Sequence, residues 1–324
     1  MKSIHDFIKI QNLEKSTNEI CEFIKDEIFD KFQKKGAVVG LSGGIDSAVT
    51  AALCAKSLGS EKVLGIIMPE KESDTTSVIF AKKVAKKYNF ETQMIDITQI
   101  LESFGVYNTK EEIVQKKFPD FDVKCKYRVV VPPKSINTIG IPFLEVLDEN
   151  NNQHKFKISS SEFLALTAAT SIKHRVRMTT LYFHGEKNNF SVVGTTNKSE
   201  YQQGYFVKYG DGGSDIEPLV NIYKSQIYQL GNFLELPDEI LTSEASPDVW
   251  SYSTSDQEFF YSVPYDVVDL ILYAREHNLS IQDVQNISNL SMENIENLFQ
   301  IQNLKQVKSQ HMREIPHSWI PDFS

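Results

Sequence analysis

Apolar residues recur at helical spacing from position 4 to 34, at Ile8, Leu13, Ile20, Phe23, Ile24, Ile28, Phe29 and Phe32, which predicts one or two amphipathic helices. The pattern then switches. Residues 37 to 41 form a short apolar run, predicted as a strand, that ends in the turn Ser42-Gly43-Gly44. Asp46 and Ser47 open an alanine-rich helix over 48 to 58, which Gly59 stops. A second strand is predicted over 63 to 68, a helix over 73 to 88 and a third strand over 92 to 97. Strands separated by helices at this spacing make βαβ units, so the expected fold class is α/β, a doubly wound parallel sheet flanked by helices.

The alternation breaks between 118 and 160, where β-rich runs at 123 to 131, 143 to 147 and 156 to 158 surround Pro132-Pro133 and the turn-rich Asp148-Glu149-Asn150-Asn151-Asn152. Pro-broken strands with an alternating pattern suit a half-exposed antiparallel hairpin or small meander. This span is therefore expected to be a β-rich insertion, attached to the sheet domain but outside its parallel core. Helix resumes near 161 and runs through Arg175 to His184; 191 to 194 is a further strand, 224 to 234 a helix, and 264 to 307 a mostly helical C-terminal region. The expected organisation is one domain over 1–324 with the insertion at 118–160 inside it.

With 41% hydrophobic and 24% charged residues in 324, the chain has the composition of a folded protein and not of a disordered one. Its longest apolar runs, such as 63 to 68 and 129 to 133, fall far short of the roughly 18 residues a membrane span needs. The start, Met1-Lys2-Ser3-Ile4-His5-Asp6, has no apolar block followed by small residues, so no membrane association and a cytoplasmic location are expected. A formal charge of −9 without a local basic stripe disfavours nucleic acid as a partner. An anionic small molecule remains open, given a few cations in its site. Cys21, Cys54 and Cys125 are widely spaced and odd in number, which argues against a disulfide framework or a zinc knuckle and for free thiols in or near the core.

The first chemical candidate is Gly40-Leu41-Ser42-Gly43-Gly44-Ile45-Asp46-Ser47. A strand ending in small residues brings backbone close to an anion, and the amides of the following helix N-terminus point at it with a favourable dipole. No lysine follows the glycines as the Walker A loop requires, so ordinary γ-phosphate transfer is disfavoured. Ser42 and Ser47 can donate hydroxyls, and Asp46 can hold Mg²⁺ on phosphate oxygens.

These residues resemble the pyrophosphate loop of the adenine-nucleotide α-hydrolase-like ATP enzymes, which adenylate a carboxylate or similar oxygen and release pyrophosphate. A second block, Val193-Gly194-Thr195-Thr196-Asn197-Lys198-Ser199-Glu200 followed by Gly204-Tyr205-Phe206-Val207-Lys208-Tyr209-Gly210-Asp211-Gly212-Gly213-Ser214-Asp215-Ile216-Glu217-Pro218, resembles the long signature of the ammonia-dependent NAD synthetases. The likeness continues through 171 to 178, 223 to 228, Ser246-Pro247-Asp248 and 256 to 269, and so covers most of the chain.

The resemblance implies ATP-dependent amidation of deamido-NAD by ammonia. The nicotinate carboxylate attacks the α-phosphorus of ATP, giving an acyl-adenylate and pyrophosphate, and ammonia then displaces AMP. It implies that Asp46 and Glu200 hold Mg²⁺, that Gly40, Leu41, Ser42, Gly43, Gly44, Ile45, Asp46, Ser47, Met68, Thr195, Lys224 and Ser246 bind ATP, and that Ser171, Arg175, Lys208, Asp211, Asp215, His311 and Arg313 bind the acyl substrate. Asp46, Lys224, Asp211 and Asp215 are the implied catalytic set, and a homodimer is the implied assembly. Ammonia is expected free or delivered by a partner, since no glutaminase module and no N-terminal Cys nucleophile are evident.

Three features depart from the family pattern. Ser171 and Met312 stand where the family has Asn and Lys, and the span between 97 and 171 is longer than in compact members. Arg313 is the expected replacement for the missing lysine. Two alternatives stay open on these grounds, an ammonia ligase for a different carboxylate and a catalytically silent nucleotide-binding protein. The second is disfavoured because Ser42, Asp46, Ser47, Glu200, Asp211 and Lys224 are all intact.

Overall fold

The computed structural model describes residues 4–122, 124–130, 142–246, 249–252 and 255–319. Pro132-Pro133 and the motif residues Pro247 and Asp248 lie outside them. The chain opens with α1 (Ile4–Phe7) and α2 (Leu13–Lys25), then alternates through β1 (Ala37–Gly40), α3 (Ile45–Leu58), β2 (Val63–Ile67), α4 (Thr75–Tyr88) and β3 (Glu91–Met94). Two helices follow, α5 (Thr98–Ser103) and α6 (Val106–Lys117), before β4 (Lys126–Val130), β5 (Phe143–Leu147) and β6 (Gln153–Lys157). The long α7 (Ser160–Asn188) returns to the first sheet at β7 (Ser191–Val193). The remainder is helical: α8 (Lys198–Gln203), α9 (Lys224–Phe233), α10 (Asp238–Leu241), α11 (Tyr265–Glu276), α12 (Ile281–Ser288), α13 (Met292–Lys308) and α14 (Gln310–Arg313).

The four-stranded sheet runs β3-β2-β1-β7, all parallel, with Val38 facing Leu64 on one side and Val192 on the other. Of these strands β1, β2 and β7 are covered on both faces and so read as continuous apolar runs instead of alternating ones. Helix α3 explains its own composition: ten of its 14 residues are buried, and alanine lets it lie close between the sheet and the helices α2 and α9. One sheet edge, β7, is extended by a parallel bridge from Val193 to Ile216; the other is β3.

The expected insertion is a second sheet, β4-β5-β6, wholly antiparallel. Tyr127, Val129, Leu144 and Val146 point to one face and pack on Val114, Leu166, Val249 and Trp250. Its strands begin and end a few residues from the predicted limits, and β3 stops at Met94 because Ile95 and Ile97 turn to bond the carbonyls of Ile67 and Pro69. No helix among the described residues is long and apolar enough to cross a membrane.

Candidate functional site at the switch point of the sheet

The chain leaves β1 for β2 on one side and reaches β7 on the other, so the strand order reverses between β1 and β7. Open α/β sheets take ligands in the crevice beyond the carboxyl ends of the strands at such a point. A cavity of about 1980 Å³ lies there, walled by the loops after β1, β2 and β7 and by parts of α7 and α13.

The loop after β1 satisfies its Ser42 and Gly44 amides internally, on the Ser47 and Ser42 hydroxyls (both 3.3 Å), and leaves the first-turn amides of α3 facing the cavity. Gly43 has φ +84° and any Cβ on it would come within 2.4 Å of the Ser77 carbonyl, so only glycine fits the turn. The Ser47 hydroxyl donates to the Gly44 carbonyl (2.9 Å) and lies 3.2 Å from the Ser42 hydroxyl, which holds the loop's shape. Gly44 is the N-cap of α3 and offers no side chain, so the first-turn amides keep their hydrogen-bonding capacity for an incoming anion. All eight residues from Gly40 to Ser47 line the cavity.

Asp46 begins a charged cluster on this wall. Asn197, the N-cap of α8, exchanges hydrogen bonds with Glu200 in a capping box and also donates its side-chain amide to Asp46 (2.9 Å). Asn197 thus holds both acids, Asp46 by its side-chain amide and the Glu200 carboxylate by its backbone amide. The Lys224 ammonium pairs with Asp46 and lies 3.8 Å from Glu200. Lys224 is 2% exposed and opens α9, whose first turn is seated on buried Asp269 through Ser199 and Ser225. Burial would strip the lysine of its proton, but Asp46, Glu200 and Asp256 hold its pKa well above the ordinary value. Burial, and then the Asp46 carboxylate, push Glu200 well above the usual carboxylate range, against the pull of Lys224. With one ammonium between two acids, ionising both would leave the cluster one positive charge short, and the raised Glu200 pKa reflects that.

Farther along the cavity, Asp211 accepts from the Val207 amide (2.8 Å) and its Oδ1 lies 3.6 Å from His174 Nδ1. Met68, Ser171, Thr195, Glu200, Lys224 and Ser246 also line the cavity. Other expected residues lie elsewhere. Asp215 accepts from the Val192 amide (2.8 Å) and the Tyr182 hydroxyl (3.1 Å), which ties the extra bridge to β7. Lys208 donates to the carbonyls of His311 (2.7 Å) and Glu314 (3.0 Å). The Arg313 guanidinium donates to the carbonyls of Tyr201 and Gln306 and to Ser309 Oγ, and His311 is exposed. None of Arg175, Lys208, Asp215, His311 and Arg313 lines the cavity; of the two arginines on α7 it is Arg177 that does.

Several residues of the site escape sequence reasoning. Asp256 accepts from the hydroxyls of Tyr205 (2.8 Å) and Tyr265 (2.7 Å), and the Tyr265 ring lies beneath Lys224 at 5.2 Å. Burial raises the Glu217 carboxyl to about 7, even though Ser214 and the Thr196 amide donate to it. A Cβ on Gly212 would meet the Phe206 ring at 2.5 Å, so the smallness of this glycine serves packing.

A parallel sheet with a lysine-free glycine loop at its switch point and a cluster of two acids and a lysine beside it is suited to hold a polyphosphate. The NAD synthase family model matches residues 16–134 and 130–316. The NH3-dependent NAD+ synthetase of Thermotoga maritima is 37% identical, covering 82% of this chain and 88% of that one, and the one from Rhizobium rhizogenes is 34% identical, covering 82% and 80%. Among solved structures, an NMN synthetase from Francisella tularensis superposes with TM-score 0.67 at 25% identity over 97% of this chain and 100% of that one. An NH3-dependent NAD synthetase from Campylobacter jejuni gives 0.63 at 25% identity, over 96% and 100%. The chain belongs to the NAD synthase family.

Proposed function

We propose that this cavity is where the chain converts deamido-NAD to NAD with ATP and ammonia, releasing AMP and pyrophosphate. The observation that carries the reading is the meeting of Asp46, Glu200 and Lys224 beside the N-terminus of α3 and the Ser42 to Ser47 loop on one cavity wall. A carboxylate is a poor acyl donor, and adenylation supplies its leaving group. The protein's share is to hold the triphosphate, neutralise its charge and place the carboxylate against the α-phosphorus. The first-turn amides of α3 and the Ser42 and Ser47 hydroxyls would bind the departing phosphates, Lys224 would offset their charge, and Asp211 with Ser171 would hold the nicotinate end.

Asp46 and Glu200 offer the hard oxygen donors that Mg²⁺ takes, and both already face one cation, the Lys224 ammonium. Among the described residues no group of three or more His, Cys, Asp or Glu gathers for a metal. Phosphate oxygens of the nucleotide would therefore complete the shell. When bound, Mg²⁺ would supply charge neutralisation at the phosphates.

The chain would act as one NAD-synthetase-like domain with 118–160 as its insertion, working in the cytoplasm beside its nucleotide substrates. We infer a homodimer from the family resemblance, with exposed Leu164 (66%) and Phe183 (62%) on α7 among the apolar side chains a partner would cover. The likeness to an NMN synthetase keeps a second acyl substrate in view, the deamidated mononucleotide. Mass spectrometry of reactions holding ATP, ammonium and either acyl substrate tests the reading. NAD with AMP and pyrophosphate is expected from deamido-NAD; ADP among the products, or turnover of the mononucleotide alone, would refute it.

A further inference from the structure

A second ion cluster lies outside the reaction centre and reaches the cavity wall through Glu72. Lys173 of α7 donates to Glu70 (2.8 Å) and Glu72 (2.6 Å), and Lys110 of α6 donates to Glu72 as well. Both lysine side chains are fully buried. Each also donates to the carbonyl of Val249, at 3.0 Å from Lys110 and 3.2 Å from Lys173. The remaining carboxylate oxygens are filled by tyrosines, Glu70 by Tyr107 (2.7 Å) and Glu72 by Tyr127 (2.7 Å). Burial would raise the Glu72 carboxyl, yet the two ammonium groups hold it down to about 2. Four charges are thus balanced two against two and hydrogen-bonded throughout, which is the condition for ions to be tolerated in a core.

What the cluster joins gives it a purpose. Glu70 and Glu72 belong to the loop after β2, and Met68, Glu72, Ser73 and Asp74 of that loop line the cavity. Arg177, one turn beyond Lys173, donates to the Met68 carbonyl, so α7 grips the same loop twice. Ser243 to Ser246 and Val249 to Tyr252 also line the cavity and give it a second lip. The inserted sheet closes the arrangement. The Tyr127 amide donates to Ser251 Oγ (3.0 Å), the Tyr252 amide donates to the Tyr127 carbonyl (3.1 Å), and Lys110 sits over the Trp250 ring at 4.6 Å.

We propose that the Glu70, Glu72, Lys110 and Lys173 network, closed by Tyr127 of the inserted sheet, is a positioning device that sets the two lips of the cavity at the spacing ATP requires. The insertion then serves as the anchor of the 249–252 segment. None of the four ions touches the reacting atoms, so they are positioning residues. The proposal rests on ATP occupying this cavity.

The test compares wild type with Lys110→Met and with the milder Tyr127→Phe. The KM for ATP should rise at least fivefold in Lys110→Met and about twofold in Tyr127→Phe, while kcat and the KM for deamido-NAD stay within twofold. Hydrogen exchange should speed up at 243–246 and 249–252 in both variants. An unchanged KM for ATP, or both KM values rising together, would overturn the proposal, since a merely structural role lowers the active fraction without singling out one substrate. Should wild type fail to turn over ATP, the functional reading falls instead, and exchange at the two segments still decides whether the network holds the lips.

Discussion

Two buried ion clusters reach the wall of the cavity, one through Glu72 and the other through Asp46, Glu200 and Lys224, and they differ in their charge balance. Lys173 and Lys110 meet two carboxylates, tyrosines fill the other carboxylate oxygens, and both lysines share the Val249 carbonyl. Lys224 alone faces Asp46 and Glu200, with Asp256 close enough to raise the pKa of both Lys224 and Glu200. Both clusters pay the desolvation cost of buried charge. Only the first settles it within the chain. The second stays short of a cation and opens on the cavity, and that deficit is what a Mg²⁺-bearing polyphosphate can fill.

The contrast can be broken most severely at the incomplete cluster. Asp46→Asn or Glu200→Gln should each lower turnover roughly 10²–10³-fold, the usual loss when one preorganised charge-stabilising group is removed, with the far-ultraviolet circular dichroism spectrum unchanged. Wild-type activity in either variant would remove the assignment.

A sharper comparison replaces the central lysine on each side. Lys173→Met strands buried carboxylates and should cost about 3–5 kcal/mol of stability in urea titrations. Lys224→Met should also destabilise, but there added Mg²⁺ should restore part of the lost melting temperature, because Asp46 and Glu200 can accept it. Equal responses of the two variants to Mg²⁺ would erase the distinction between the clusters.

The smallest effect is expected in the C-terminal segment. Arg313 was the expected stand-in for the family lysine at Met312, yet its guanidinium is committed to Tyr201, Gln306 and Ser309. Arg313→Ala should therefore cost about 1–2 kcal/mol of stability through lost hydrogen bonds, with the KM for deamido-NAD within twofold of wild type. A tenfold rise in that KM would return Arg313 to the substrate.

Much of this was legible because parallel strands and phosphate loops write themselves locally. The run 37 to 41, the glycines after it and the alanines of α3 each answer to near neighbours, and they located β1, the loop and the helix. The helices over 98–117 were invisible to the same reading. In α6 the buried stripe is Val106, Tyr107, Lys110 and Val114, and a buried lysine breaks the apolar pattern because its partners come from Glu72 and Val249, far away in sequence. Asn197 and Asp256 were missed for a related reason. Their roles lie in what they touch, Asp46 across the sheet and two tyrosine hydroxyls, and a single sequence carries no sign of those contacts. Arg175 and Arg177 show the limit of a motif. The pair is plain in the sequence, but only the turn of α7 decides which one faces the cavity.

The two edges of the parallel sheet carry a consequence for handling the protein. At β7 the backbone beyond the strand is covered, since Gly194 donates to the Ile216 carbonyl and Asp215 to that of Val192. At the other edge β3 has no further strand beside it, and what protects it is brevity and polarity: four residues, Glu91 to Met94, with only the last of them apolar. A longer or more apolar β3 would offer unpaired amides and carbonyls to a neighbouring molecule as a template for fibrils and precipitates. Resistance to aggregation thus depends on a short strand that lies outside the cavity lining.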